Sequence, residues 1–161
     1  SKTRKSFVRR VYLAIGFLFS AFILGGLIHE LGHLSVANAY GCEPQFDLGV
    51  SLFTGIHGII ESSCSMNAFG LFFFYISGYL ATSVTALIAL IEGIKMKKFK
   101  SRFLRVLSGG LFISLMISAD RSGDIANIAS YLNYPLLGDF IYVSLLFLGA
   151  SGSFYAISRK S

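Results

Sequence analysis

The chain has 161 residues and a mean hydropathy of +0.68, and 54% of its residues are hydrophobic, with 16 Phe and 17 Gly. Only 14% are charged, against about 25% in a soluble domain. This excludes an ordinary water-soluble globule and reads as an integral membrane protein small enough to be one domain. The net charge of +6 does not indicate nucleic acid, because every cation except Arg121 lies in one of three short flanks of apolar segments, the pattern of cytoplasmic loops.

The first flank holds Lys2, Arg4, Lys5, Arg9 and Arg10 and opens a helix over about 7–40, uncharged through 11–28. A basic start, an apolar run and Ala37-Asn38-Ala39 also resemble a signal peptide with its cleavage site. Here the run is too long, and polar residues 29–33 separate it from that site. Segment 41–66 is too apolar for a free loop. Phe46, Leu48, Val50 and Leu52 alternate with polar or small residues, and Thr54-Gly55 offers a turn before Ile56, Ile59 and Ile60. The alternation predicts a β-hairpin with strands near 46–53 and 56–62. It serves either as an edge for an extended substrate or as a structural cover for the bundle end.

A second span is expected over about 67–93, a third over about 102–132 and a fourth over about 136–157. Lys95, Lys97, Lys98, Lys100, Arg102 and Arg105 lie between the second and third spans, and Arg159 and Lys160 close the chain. Four spans put these flanks on one side, so both termini are expected in the cytoplasm. The predicted fold class is an all-α polytopic membrane protein of about four transmembrane helices, with a small β-hairpin between helices 1 and 2.

The first helix carries His29-Glu30-Leu31-Gly32-His33. Residues i and i+4 share a helix face, so His29 and His33 can hold one metal ion. Glu30, one position along, can serve as general base toward a metal-activated water. A histidine–glutamate cluster in a membrane-length apolar run is costly unless it binds or reacts with something. The bland alternative is a pair of histidines hydrogen-bonded inside a bundle.

A catalytic zinc usually takes three protein ligands. Beyond the cytoplasmic flanks the candidates are Glu43, Asp47, His57, Glu61, Asp120, Asp124 and Asp139. His29 lies as many residues beyond Arg10 as Asp124 lies beyond Arg105, so at about 1.5 Å per residue both climb about 28 Å. Asp120, about one turn lower, is the alternative third ligand. Ser122-Gly123-Asp124 reads as a helix interruption that can present the carboxylate. Arg121 can pair with Asp120 and leave Asp124 for the metal, whereas the competing role for Asp124 is an N-cap. Asn127 and His57 are candidate substrate-facing residues. Gly25, Gly26 and Gly32 permit close helix approach, and Gly78, Thr82, Thr85 and Ala89 form a small-residue packing seam.

An intramembrane H-E-x-x-H helix, a following hairpin, a Gly-bearing second helix and an aspartate in the third together resemble the site-2 protease class of membrane zinc metallopeptidases, over roughly residues 20 to 130. The resemblance implies a single membrane-embedded metallopeptidase-like domain over 1–161. It also implies Zn²⁺ on His29, His33 and an aspartate, Glu30 as general base, and hydrolysis of membrane-associated peptides. Two departures stand out. Gly78-Tyr79-Leu80-Ala81-Thr82 replaces the family's Gly-Pro-x-x-Asn-like element, and Gly123-Asp124-Ile125 replaces Leu-Asp-Gly, an order closer to divergent zincin-type peptidases.

The rival reading is a non-catalytic membrane adaptor or metal-binding subunit that keeps the zincin shell. The missing Asn favours it and the retained Glu30 opposes it. A transporter is disfavoured because no internal repeat is visible. The expected partners are the lipid bilayer and a membrane-protein or transmembrane-peptide substrate, with an oligomer or accessory partner left open. The site is expected toward the non-cytoplasmic side. Cys42 and Cys64 flank the hairpin and either bridge its base or remain two thiols.

Overall fold

A computed structural model describes residues 2–51, 55–62, 65–96, 98–119 and 123–158. The chain opens with one continuous helix in three parts: α1 (Lys2–Phe19), a π-helical turn (Ser20–Leu24) and α2 (Gly25–Ala39). The backbone stays right-handed through both junctions, with φ −58°, ψ −46° at Phe19 and φ −63°, ψ −43° at Gly25. Inside the π turn, Ser20 is fully buried and donates its hydroxyl to the Phe17 carbonyl at 2.9 Å. A Cβ at Gly110 would collide with that hydroxyl, so the wider turn and a glycine interlock where two helices cross.

At the end of α2, Gly41 adopts φ +70°, and the Gly41 and Cys42 amides donate to Asn38 and Ala37 carbonyls at 3.0 Å each. A left-handed glycine closing the last turn is a common helix stop. It sends the chain into an antiparallel ladder of β1 (Pro44–Ser51) and β2 (Gly55–Ser62), in register from Pro44↔Ser62 to Ser51↔Gly55. The ladder begins two residues earlier than the expected first strand and occupies the predicted place between the first two spans. β2 lies against α2 and the π turn.

Asn67 then caps α3 (Ala68–Lys95), its side chain accepting from the Gly70 amide at 2.8 Å, as Asn does at N-caps. After it come α4 (Lys98–Ser118), α5 (Asp124–Tyr131) and α6 (Pro135–Ser158). Pro135 opens α6 at a position where its missing N–H costs no hydrogen bond. Asn133, at φ 51°, makes the left-handed turn before it, a conformation that Asn tolerates.

Four helical stretches are long and apolar enough to cross a membrane: Ser6–Ala39, Ala68–Lys95, Lys100–Ser118 and Pro135–Ser158. The expected third span, about 102–132, falls on two helices. α4 covers its first part, to Ser118, and a separate helix, α5, begins at Asp124, with 120–122 outside the described residues. α4 is the central helix, half of its span being buried against 22–28% for the others. Leu111, Phe112 and Leu115 of α4 meet Tyr79, Ala86 and Leu90 of α3, with Ile125 of α5 and Leu145 and Ala156 of α6.

Hydroxyls tie α4 to α3. Ser108 Oγ donates to the Ala86 carbonyl at 2.8 Å and Ser101 Oγ to the Gly93 carbonyl at 2.6 Å, the polar attachment typical of helices packed in lipid. Phe140, Phe147 and Phe154 of α6 are at least 69% exposed, an outer face suited to hydrocarbon.

Candidate metal centre

His29 and His33 stand one turn apart on the face of α2 that meets α3, and both are buried. The crossing is close at Gly32, where a Cβ would lie 2.5 Å from the Ser77 carbonyl oxygen and 2.9 Å from the Gly78 Cα. Only a residue without a side chain lets the two backbones meet there. Asp124 enters from a third direction as the first residue of α5. Gly123 is the N-cap and no side chain caps the helix, so the Asp124 carboxylate is turned to the histidines rather than to its own helix.

The three groups form a triangle. His29 Nε2 lies 3.1 Å from Asp124 Oδ2, His33 Nε2 lies 3.0 Å from the same oxygen, and the two Nε2 atoms are 3.1 Å apart. Protons cannot satisfy all three edges. Each Nε2 carries either one hydrogen or one lone pair, so at most two edges can be hydrogen bonds. The third brings two like groups together in a buried place.

A cation removes the conflict, because all three atoms then offer lone pairs to one centre. Donor atoms around a tetrahedral ion with bonds of about 2.0–2.1 Å lie about 3.3 Å apart, close to the edges observed here. The residues therefore fit a three-ligand metal site, and His29, His33 and Asp124 form the group among the described residues that could hold an ion.

The surroundings set the orientation of each ligand. His33 Nδ1 donates to the Phe74 carbonyl at 2.6 Å, which in the neutral ring leaves Nε2 unprotonated and facing the centre. Ser77 Oγ donates to the same carbonyl at 2.7 Å. Bonds of this kind fix the tautomer and ring angle of metal-binding histidines. His29 is held differently, since its Nδ1 is buried without a hydrogen-bond partner. Its ring instead stands edge-on to Tyr79, with centroids 4.7 Å apart, and above Gly78.

Asp124 lies beyond the end of the α4 span. Burial raises its carboxyl pKa, but when the two imidazoles are protonated their hydrogen bonds and charge outweigh this and hold it at about 2. Placement in the first turn of α5 also favours the anion. Glu30 is buried beside the two ligands without belonging to the triangle.

The structure thus brings His29, His33 and Asp124 together with Glu30 at their side. It does not bring Asn127 into the cluster: that residue is exposed on α5, its amide bonded to the Gly123 carbonyl at 3.1 Å. His57 falls on β2 opposite Gly49, and its side chain lies outside the described residues, as do Asp120 and Arg121. Cys42 is buried and disulfide-bonded, and Cys64, the other cysteine of the chain, also lies outside the described residues.

Gly78 belongs to the site and not only to the packing seam, since a Cβ there would lie 2.6 Å from His29 Nε2. Tyr79 and Ser77 are further neighbours that the motif does not announce. Their signal was phase: Gly78 follows Phe74 by one turn, on the α3 stretch that faces α2. No protein-family model matches the chain, and no curated protein or solved structure does either.

Proposed function

We propose that the protein is an intramembrane zinc metallopeptidase that hydrolyses peptide bonds of membrane-associated substrates. The observation that carries this reading is the buried triangle of His29, His33 and Asp124 with Glu30 buried next to it. A store or structural metal site needs the three ligands and has no use for a fourth, ionisable neighbour in an apolar helix. Two imidazoles and one carboxylate are a set that zinc takes in catalytic sites, with a fourth position left for water.

Zinc held there would supply Lewis-acid polarisation and make water nucleophilic near neutral pH. The chain does the rest. Glu30 takes the proton of the attacking water and returns it to the leaving amine. The Phe74 carbonyl keeps the proton of His33 on Nδ1, so its Nε2 stays a ligand. A transmembrane substrate must first unwind, because its amides are hidden in intrahelical bonds. The β1–β2 ladder is the edge against which the extended stretch would pair. The basic flanks orient the chain with both termini in the cytoplasm and the centre toward the opposite face.

The alternative is a metal-binding adaptor. It is favoured by Gly78-Tyr79-Leu80-Ala81-Thr82, which places no amide side chain near the centre to support a transition state. One set of measurements separates the two: bound zinc, and cleavage of co-expressed membrane proteins, for the wild type, Glu30→Gln and Asp124→Ala purified in detergent. A peptidase loses cleavage but keeps zinc in Glu30→Gln, and loses both in Asp124→Ala. Cleavage that survives Glu30→Gln sinks the mechanism.

A further inference from the structure

Tyr79 touches a ligand of the centre on one side and the end of α4 on the other. Its ring stands edge-on to His29 at 4.7 Å and 80°, and its hydroxyl donates to the Ser118 carbonyl at 3.0 Å. Only 3% of the residue is exposed. Ser118 is the last residue of α4, and its carbonyl is one of the four at a helix end that no helical amide satisfies. Burying such a carbonyl costs free energy unless a donor meets it, and Tyr79 is that donor.

The two contacts have different consequences. His33 is oriented by a hydrogen bond from Nδ1 to the Phe74 carbonyl, whereas His29 Nδ1 has no such bond. The angle of the His29 imidazole is therefore set by packing, between Tyr79 and the bare backbone of Gly78. On its other side Tyr79 fixes the point where the chain leaves α4, a few residues before it returns at Asp124. One side chain thus braces a ligand from α2 and holds the last residue of α4, the helix that precedes α5 in the chain.

We propose that Tyr79 is the positioning residue of the metal centre, holding the His29 ring and the end of α4 in the geometry that lets Asp124 complete the triangle. The proposal rests on the metal-site reading of His29, His33 and Asp124, and not on peptidase activity.

The test uses Co²⁺ as the probe with the full chain in detergent. Its visible ligand-field bands report which atoms coordinate, while titration reports affinity. Tyr79→Phe keeps the ring and removes only the hydroxyl, so it carries the decision. Tyr79→Leu removes both contacts. Ser108→Ala is the control, because it deletes another α3–α4 hydrogen bond, Ser108 Oγ to the Ala86 carbonyl, remote from the centre.

Tyr79→Phe is expected to weaken Co²⁺ binding about tenfold and to shift the bands of the bound form as the Asp124 oxygen recedes. Tyr79→Leu is expected to approach a hundredfold loss, in the range known for outer partners of metal ligands. Ser108→Ala should match the wild type in both. A general packing defect reduces the amount of folded protein without changing the bands of what binds. Wild-type affinity and bands in Tyr79→Phe overturn the proposal, as does the same shift in Ser108→Ala. Absence of Co²⁺ binding by the wild type overturns the metal reading and the proposal with it, so the two failures are told apart.

Discussion

Gly78 and His29 are in such close contact that a methyl group on Gly78 would lie 2.6 Å from Nε2, the imidazole atom that faces Asp124. Backbone on one helix and a ligand ring on the other occupy adjacent space with nothing to spare. Gly78→Ala must therefore push the ring away from the centre or spread α2 from α3. Overpacking of this kind costs about 1–3 kcal/mol. The expected result is a loss of metal affinity of at least about tenfold, with helical content unchanged. Titration with Zn²⁺ or Co²⁺ beside circular dichroism checks it. Leu80→Ala, two residues on and 49% exposed, should leave both unchanged.

Under the proposed function, Glu30 separates binding from chemistry. Its carboxylate is not one of the three converging donors, so Glu30→Gln should bind zinc at the wild-type stoichiometry. Loss of a general base typically costs about 10²–10⁴-fold in rate. Turnover of a membrane-protein substrate should fall by that factor with metal content intact. Equal loss of zinc and activity would instead make Glu30 a structural support of the site.

The helical period made half of the centre readable from sequence. The spacing of His29 and His33 forces them onto one face, and hydropathy alone outlines the four spans, three of which end within a few residues of their helices. The rise from Arg105 to Asp124 assumes an unbroken helix, and α4 stops at Ser118. The aspartate arrives by a return of the chain into α5, and the Gly123 interruption is the sequence feature that agrees with this arrangement.

The supporting shell could not be read at all. The Phe74 carbonyl is a backbone group, identical at every residue, and Gly78 looks the same in sequence whether it faces a helix or an imidazole. Those roles depend on the crossing of α2 and α3, which only the folded chain defines.

Asp124→Asn tests whether the third corner of the triangle is a charged ligand. The amide keeps the size of the side chain but loses the anion that the centre favours. Zinc affinity should drop by more than the 10–100-fold typical of an outer partner, since the change falls on a ligand itself. Full occupancy in Asp124→Asn, followed by loss in Asp120→Asn, would transfer the role to Asp120.

Removing the metal should loosen one part of the fold more than the rest. Without a cation, the edges of the triangle cannot all be attractive, and α5 is joined to α2 through Asp124. The remainder of α5 is held by Ile125 and Ile128, both buried, so the helix should stay docked by its apolar face while its first turn frees. A ligand that binds only the native state stabilises it by about 2.7 kcal/mol at a hundred times its dissociation constant. Zinc-loaded protein should therefore melt several degrees above chelator-treated protein in the same detergent. Amide exchange after chelation should accelerate at 124–128 and stay slow in α4 around Leu111 and Leu115. Uniform acceleration along the whole chain would mean that the metal holds the bundle together, and identical exchange with and without chelator would mean that no metal holds Asp124.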